Sequence, residues 1–169
     1  MNHDQPVLVL GLGNPVMADD GAGLAAMARL QAGWAWGKGV VFEDGGTWGM
    51  RLLPLLQDHD RVLFLDAIDG GRPPGALIRL DGDAIPRGIG LGKVSPHQVD
   101  LQDILAAAML TGRVPREMIA LGVQPDLVEM RVGLSPAVEA GLDGLVDAAI
   151  EALSAWGVAC EPAGATAGA

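Results

Sequence analysis

Val7-Leu8-Val9-Leu10 runs directly into Gly11-Leu12-Gly13-Asn14, and two acids, Asp19 and Asp20, stand just ahead of a helical pattern. An unbroken apolar run is what a strand buried on both faces requires, and such strands belong to parallel sheets covered by helices. Glycines after the run permit a tight turn, and acids suit the opening of a helix. The segment therefore predicts the first βα unit of an α/β domain, with carboxylates at its mouth.

The rest of the chain keeps alternating. Leu24, Met27, Ala28 and Leu30 have helical spacing. Strands are expected at Val40–Phe42, Arg61–Leu65, Ala76–Leu80 and Met118–Val123, with helices at Met50–Leu56 and Leu101–Leu110. Ser135-Pro136 is a helix start, Ser as N-cap and Pro at N1, for a long helix reaching about Trp156. The segment Gly82–Val94, rich in glycine, is expected to be a mobile surface loop. The fold expected is a single α/β domain over residues 1–162, a mostly parallel five-stranded twisted sheet with helices on both faces. Residues 163–169 form a small-residue tail expected to be disordered.

Composition narrows the function. A chain of 169 residues, half of them hydrophobic, has enough apolar material for one substantial core. A formal charge of -10 repels phosphate backbones and speaks against nucleic acid as a partner. The lone Cys160 forms neither an intramolecular disulfide nor a thiolate zinc cage, and reads as a half-buried spectator. Met1-Asn2-His3-Asp4-Gln5 has no basic character of a signal peptide, and no apolar run has the length of a membrane span. A cytoplasmic protein without membrane partners is expected, and nothing demands more than a monomer.

In open parallel sheets, sites form at the carboxyl ends of the strands. Asp19 and Asp20, Asp44, Asp66 and Gln124-Pro125-Asp126 all follow predicted strands. Helix capping is a sufficient role for Asp19, which leaves Asp20 available for another. Asp66 closes the strand Arg61–Leu65, a position where acids are depleted unless they turn the chain or do chemistry. His97 lies in Ser95-Pro96-His97-Gln98, which reads as a capping box with Pro at N1. A helix's positive end keeps that imidazole neutral, the form that binds metal. His3 and His59 lie in polar surroundings and read as solvated. Two carboxylates and one imidazole suit zinc or nickel with positions left open.

Other chemistries fit less well. Gly11-Leu12-Gly13 begins like a dinucleotide fingerprint, but Val16 occupies the place of its third glycine, and the acids would repel a pyrophosphate. The serines Ser95, Ser135 and Ser154 lie in no Gly-x-Ser-x-Gly elbow.

The chain resembles the maturation endopeptidases of nickel–iron hydrogenases from about Val7 to Trp156. The resemblance rests on Gly11-Leu12-Gly13-Asn14 with Asp19-Asp20-Gly21, Asp44-Gly45-Gly46-Thr47, Asp66-Ala67, Ser95-Pro96-His97-Gln98 and Gly122-Val123-Gln124-Pro125, in that order. It implies that Asp20, Asp66 and His97 correspond to the family's metal-binding trio. It implies a substrate, the large-subunit precursor of a hydrogenase, trimmed of its C-terminal extension once nickel is in place. The nickel would be carried by that substrate, and zinc or cadmium could occupy the same trio in vitro. Many members carry Glu where this chain has Asp20, whose shorter reach changes the metal geometry available. Two mechanisms stay open. In one the trio captures the substrate's nickel. In the other Asp20 and Asp66 act as an acid–base pair, as in aspartic proteases. The rival function is a nickel-binding accessory protein that delivers metal without catalysis.

Overall fold

The computed structural model describes residues 5–46, 49–89 and 101–164. Five strands form the main sheet: β1 (Val7–Leu12), β3 (Val40–Gly46), β4 (Arg61–Ala67), β5 (Leu77–Asp81) and β6 (Glu117–Val123). Their spatial order is β3-β1-β4-β6-β5, parallel throughout except for β5, which runs antiparallel to β6. The helices are α1 (Ala22–Gly33), α2 (Leu53–Gln57), α3 (Ile85–Gly88), α4 (Leu101–Leu110) and α5 (Pro136–Ala155). Two three-residue strands, β2 (Trp34–Trp36) and β7 (Cys160–Pro162), make a separate antiparallel pair. Among the described residues no helix is long and apolar enough to cross a membrane.

Strand alternation sends the core to both sides of the sheet. Val7, Val9, Leu63, Leu65, Leu121 and Val123 pack with α1 and α5. Leu8, Leu10, Leu12, Val62, Phe64 and Ala120 pack with α2, α3 and α4. Each fully buried Leu or Phe contributes on the order of 2 kcal/mol. Burial on both faces explains why β1 and β4 are apolar without interruption.

The chain leaves β1 toward β3 on one side, then crosses back to β4 on the other. Because crossovers between parallel strands keep one hand, that reversal places α1 and α2 on opposite faces. It also opens a switch point between the carboxyl ends of β1 and β4, where ligands bind in such sheets.

Two expectations needed revision, and one pair of strands was missed. The segment expected to be a loop from Gly82 holds a 3-10 turn over Gly82–Ala84 and then α3, with Ile85 and Ile89 fully buried one turn apart. Those two isoleucines have helical spacing, and their burial outweighs the glycines; residues 90–94 of that expectation lie outside the described residues. Met50–Leu56 is split into a 3-10 turn, Gly49–Leu52, followed by α2. The β2–β7 pair was not foreseen. It closes the end of α1, with Ala163 N–H donating to the Gly33 carbonyl at 2.8 Å. Trp36 anchors it through its indole N–H to the Leu30 carbonyl at 2.9 Å and an edge-on contact with Phe42. Cys160 in β7 is half-buried, as expected.

Candidate active site

The turn after β1 is built on Gly13. Its φ of +110° suits glycine, and a Cβ there would lie 1.8 Å from the Asp20 carbonyl oxygen. The chain folds tightly back over it into a 3-10 turn, Ala18–Gly21. Asp20 Oδ2 accepts the Asn14 N–H at 2.8 Å, and Asn14 Oδ1 accepts the Val16 N–H at 3.1 Å. Asp20 is therefore held by its own turn and remains half-buried. That turn packs against β4.

Asp66 stands at the penultimate position of β4 and is fully buried. Its Oδ1 accepts the Ala67 N–H at 2.9 Å. Alternation places it on the side of Val62 and Phe64, the face that α4 covers. In the register of β1 against β4, Gly11 faces Leu65, so the strand end that carries Asp66 lies beside the turn that follows β1. Gly23 lets the start of α1 close in: a Cβ there would meet the Leu65 carbonyl oxygen at 2.1 Å.

The structure thus brings the elements bearing Asp20 and Asp66 together at the switch point. His97, the third member of the expected trio, lies outside the described residues, as do Ser95, Pro96 and Gln98. It stands four residues ahead of Leu101, the buried start of α4, in the sequence. Asp44 falls inside β3 rather than in the loop after it, and its side chain is exposed.

Asp19 does something that its sequence position did not reveal. The N-cap of α1 is Gly21, with no side-chain cap bond, so the expected capping role is wrong. The Asp19 carboxylate is instead fully buried and reaches across to the loop between β6 and α5. Its Oδ1 accepts the Ser135 N–H at 2.6 Å; its Oδ2 accepts the Asp126 and Leu127 N–H groups and the Ser135 hydroxyl at 2.8–2.9 Å. Burial works against that charge, but the four donors outweigh it and hold the carboxyl below the usual carboxylate range. The backbone reinforces the junction through Ala18 N–H to the Arg131 carbonyl at 2.7 Å and Arg131 N–H to the Val16 carbonyl at 3.0 Å. Ala18, between the two, carries a φ of +50°, a conformation L residues rarely adopt and one that clusters at functional sites.

Gln124 performs the same service for the loop after β4. Its side-chain oxygen accepts the Gly70 and Arg72 N–H groups at 2.9 and 3.0 Å, and its amide nitrogen donates to Asp69 at 3.0 Å. That bond, with one from the Gly71 N–H, holds the Asp69 carboxyl below its ordinary range.

The fold is that of a doubly wound α/β protein, the class whose ligands bind at the switch point, and here that edge carries the turn with Asp20 beside the end of β4 with Asp66. The family model for hydrogenase maturation protease (HycI) matches residues 25–152. The hydrogenase expression/formation protein HupD of Thiocapsa roseopersicina is 36% identical over 159 residues, covering 94% of this chain and 72% of its own length. The hydrogenase 2 maturation protease of Escherichia coli is 34% identical over 157 residues, 92% of this chain and 95% of its own. The solved structure of the hydrogenase maturating endopeptidase HybD from E. coli superimposes with a TM-score of 0.86 at 33% identity, covering 94% of this chain and 98% of that one. The chain belongs to the hydrogenase maturation protease family and is a peptidase of that class.

Proposed function

We propose that this protein removes the C-terminal extension of a nickel–iron hydrogenase large-subunit precursor after nickel insertion. The observation that carries the reading is the packing of the turn that holds Asp20 against β4, the strand that ends just past Asp66. Asp20, Asp66 and His97 are assigned to receive the nickel that the precursor carries. His97 precedes α4 by a few residues, and α4 covers the face of the sheet that bears Asp66. Two carboxylate oxygens and an imidazole nitrogen form a donor set suited to nickel or zinc, with coordination positions left for the substrate's own ligands.

The nickel is substrate here, and its capture would fix the scissile bond beside the two carboxylates. Such positioning lowers a barrier by several kcal/mol in well-oriented systems. Asp19 and Gln124 hold the two flanking loops, so the surroundings of the two carboxylates are set before substrate arrives. The test is a mass measurement of the large subunit after incubation with the purified protein, with and without prior nickel insertion. Cleavage of the nickel-loaded form alone is expected. Equal cleavage of both forms would overturn nickel recognition and favour a plain two-carboxylate mechanism; cleavage of neither would overturn the processing role.

A further inference from the structure

The loop between β6 and α5 exposes large apolar side chains directly beside the candidate site. Met130 is 88% and Val132 80% exposed, with Val128 about half exposed; Val16, on the turn that leads to Asp20, is also about half exposed. Water-exposed apolar groups gathered in one place mark a surface that something covers. These four are not scattered. The bridge between Met17 and Arg131, with its two backbone bonds at 2.7 and 3.0 Å, ties the loop to the segment leading into Asp20.

The loop is also braced. Asp19 binds its beginning at Asp126 and Leu127 and its end at Ser135, so both ends of the exposed stretch are anchored to one buried carboxylate. An apolar surface fixed in advance loses little entropy on binding. Glu129 and Arg131 alternate with the apolar residues and cancel in charge, and exposed Asp126 leaves the loop with a single net negative charge on a chain of net charge -10.

We infer that Val16, Val128, Met130 and Val132 form a docking surface for an apolar stretch of the polypeptide substrate, next to the bond to be cut. The inference rests on the proposed processing role and adds to it a second point of recognition besides the metal. The occupant follows from position. A peptidase must lay the chain on both sides of its scissile bond across the surfaces that border its carboxylates. This surface is continuous with the turn carrying Asp20. Methionine, flexible and polarisable, suits contact with an extended chain of varied side chains.

The experiment compares kcat/KM for the nickel-loaded precursor between the wild type and Met130→Asp/Val132→Asp. Leu110→Asp serves as the control, an equally drastic change at a 90% exposed leucine where α4 ends. The double variant is expected to lose about tenfold or more in kcat/KM, mostly through KM, with unchanged thermal stability. Leu110→Asp is expected to match the wild type. A photo-crosslinking residue at position 130 is expected to capture the precursor near its cleavage site. Unchanged kinetics in the double variant, equal losses in both variants, or crosslinking only to a second copy of this chain would each overturn the docking surface. Failure of the wild type to cleave the precursor would instead refute the processing role, so the two failures are told apart.

Discussion

Ser135 gives both its backbone N–H and its hydroxyl to the carboxylate of Asp19, at 2.6 and 2.8 Å, across 116 positions of sequence. The same hydroxyl accepts the Val138 N–H at 3.4 Å as the N-cap of α5. One buried acid therefore fixes where the longest helix begins and where the loop before it runs. Asp20, the next residue, inherits its placement from that junction.

Asp19→Asn should be strongly destabilising. An amide keeps one acceptor but points donors at donors, leaving buried N–H groups unmatched at a cost of roughly 3 kcal/mol. Ser135→Ala, which loses a cap and one bond, should cost about 1 kcal/mol. The pH dependence has a definite sign. The folded carboxyl is held below its unfolded value, so its contribution is fully present above the unfolded pKa, about 3.9, and is lost as pH falls through the folded value. Urea titrations from pH 6 downward should show that acid loss in the wild type and a flatter limb in Asp19→Asn. Identical acid limbs would remove Asp19 from the account.

Two glycines one turn apart in α5 should respond oppositely to alanine. A Cβ at Gly141 would meet the Gly75 carbonyl oxygen at 2.3 Å, where helix and loop are in backbone contact. A Cβ at Gly144 meets nothing within 4 Å. Gly144→Ala should stabilise by about 1 kcal/mol through helix propensity alone. Gly141→Ala should destabilise by more than that gain, because backbone must shift. Thermal melts of the pair decide it, and a shared sign would contradict the close approach.

Gln124→Ala should loosen the loop after β4 without disturbing the sheet. It strips the Gly70 and Arg72 N–H groups of their acceptor and Asp69 of its side-chain donor, leaving Asp69 the Gly71 N–H. A loss of roughly 1–3 kcal/mol is expected. Asp69 should titrate closer to its ordinary value, a shift readable by NMR, since the larger of the two bonds that depress it is gone. Retained protection of the Gly70 amide in hydrogen exchange would argue that the loop stands by itself.

The parts of this fold that were legible share one property: their evidence is local. Val7–Leu10 and Leu63–Leu65 announce buried strands because both of their faces are apolar, and Ser135-Pro136 announces a helix because cap and first turn are adjacent. What stayed hidden depends on distant partners. Trp34–Trp36 becomes a strand because Cys160–Pro162 arrives beside it. Asp19 looks like a cap until the loop at Asp126–Ser135 is folded onto it. The candidate site lies between these cases. Asp20 and Asp66 were legible as acids at strand ends, and the sheet's order makes those ends neighbours. The bracing roles of Asp19 and Gln124 were not, since a hydrogen bond to a backbone N–H carries no sequence signature.

Neutralising either carboxylate at the switch point should separate activity from folding. Asp20→Asn keeps a side-chain oxygen for the Asn14 N–H, and Asp66→Asn keeps one for the Ala67 N–H. Side-chain shape is preserved in both; Asp20→Asn, at a half-buried position, should melt near the wild type, and Asp66→Asn, fully buried, is melted beside its assay so that lost fold and lost activity are told apart. Processing of the precursor should fall by on the order of a hundredfold to ten-thousandfold in each, the range typical when a catalytic acid or base is removed. His97→Ala should fall similarly if it completes the trio, and binding of nickel or zinc by calorimetry should weaken in all three. That affinity should also fall as pH drops through the histidine range, because protons compete for the imidazole. The comparison with Asp19→Asn is what makes the test discriminating. That variant should lose stability first and activity with it, whereas Asp20→Asn should lose activity alone. A folded Asp20→Asn or Asp66→Asn protein that processes precursor at the wild-type rate would exclude that carboxylate from the chemistry.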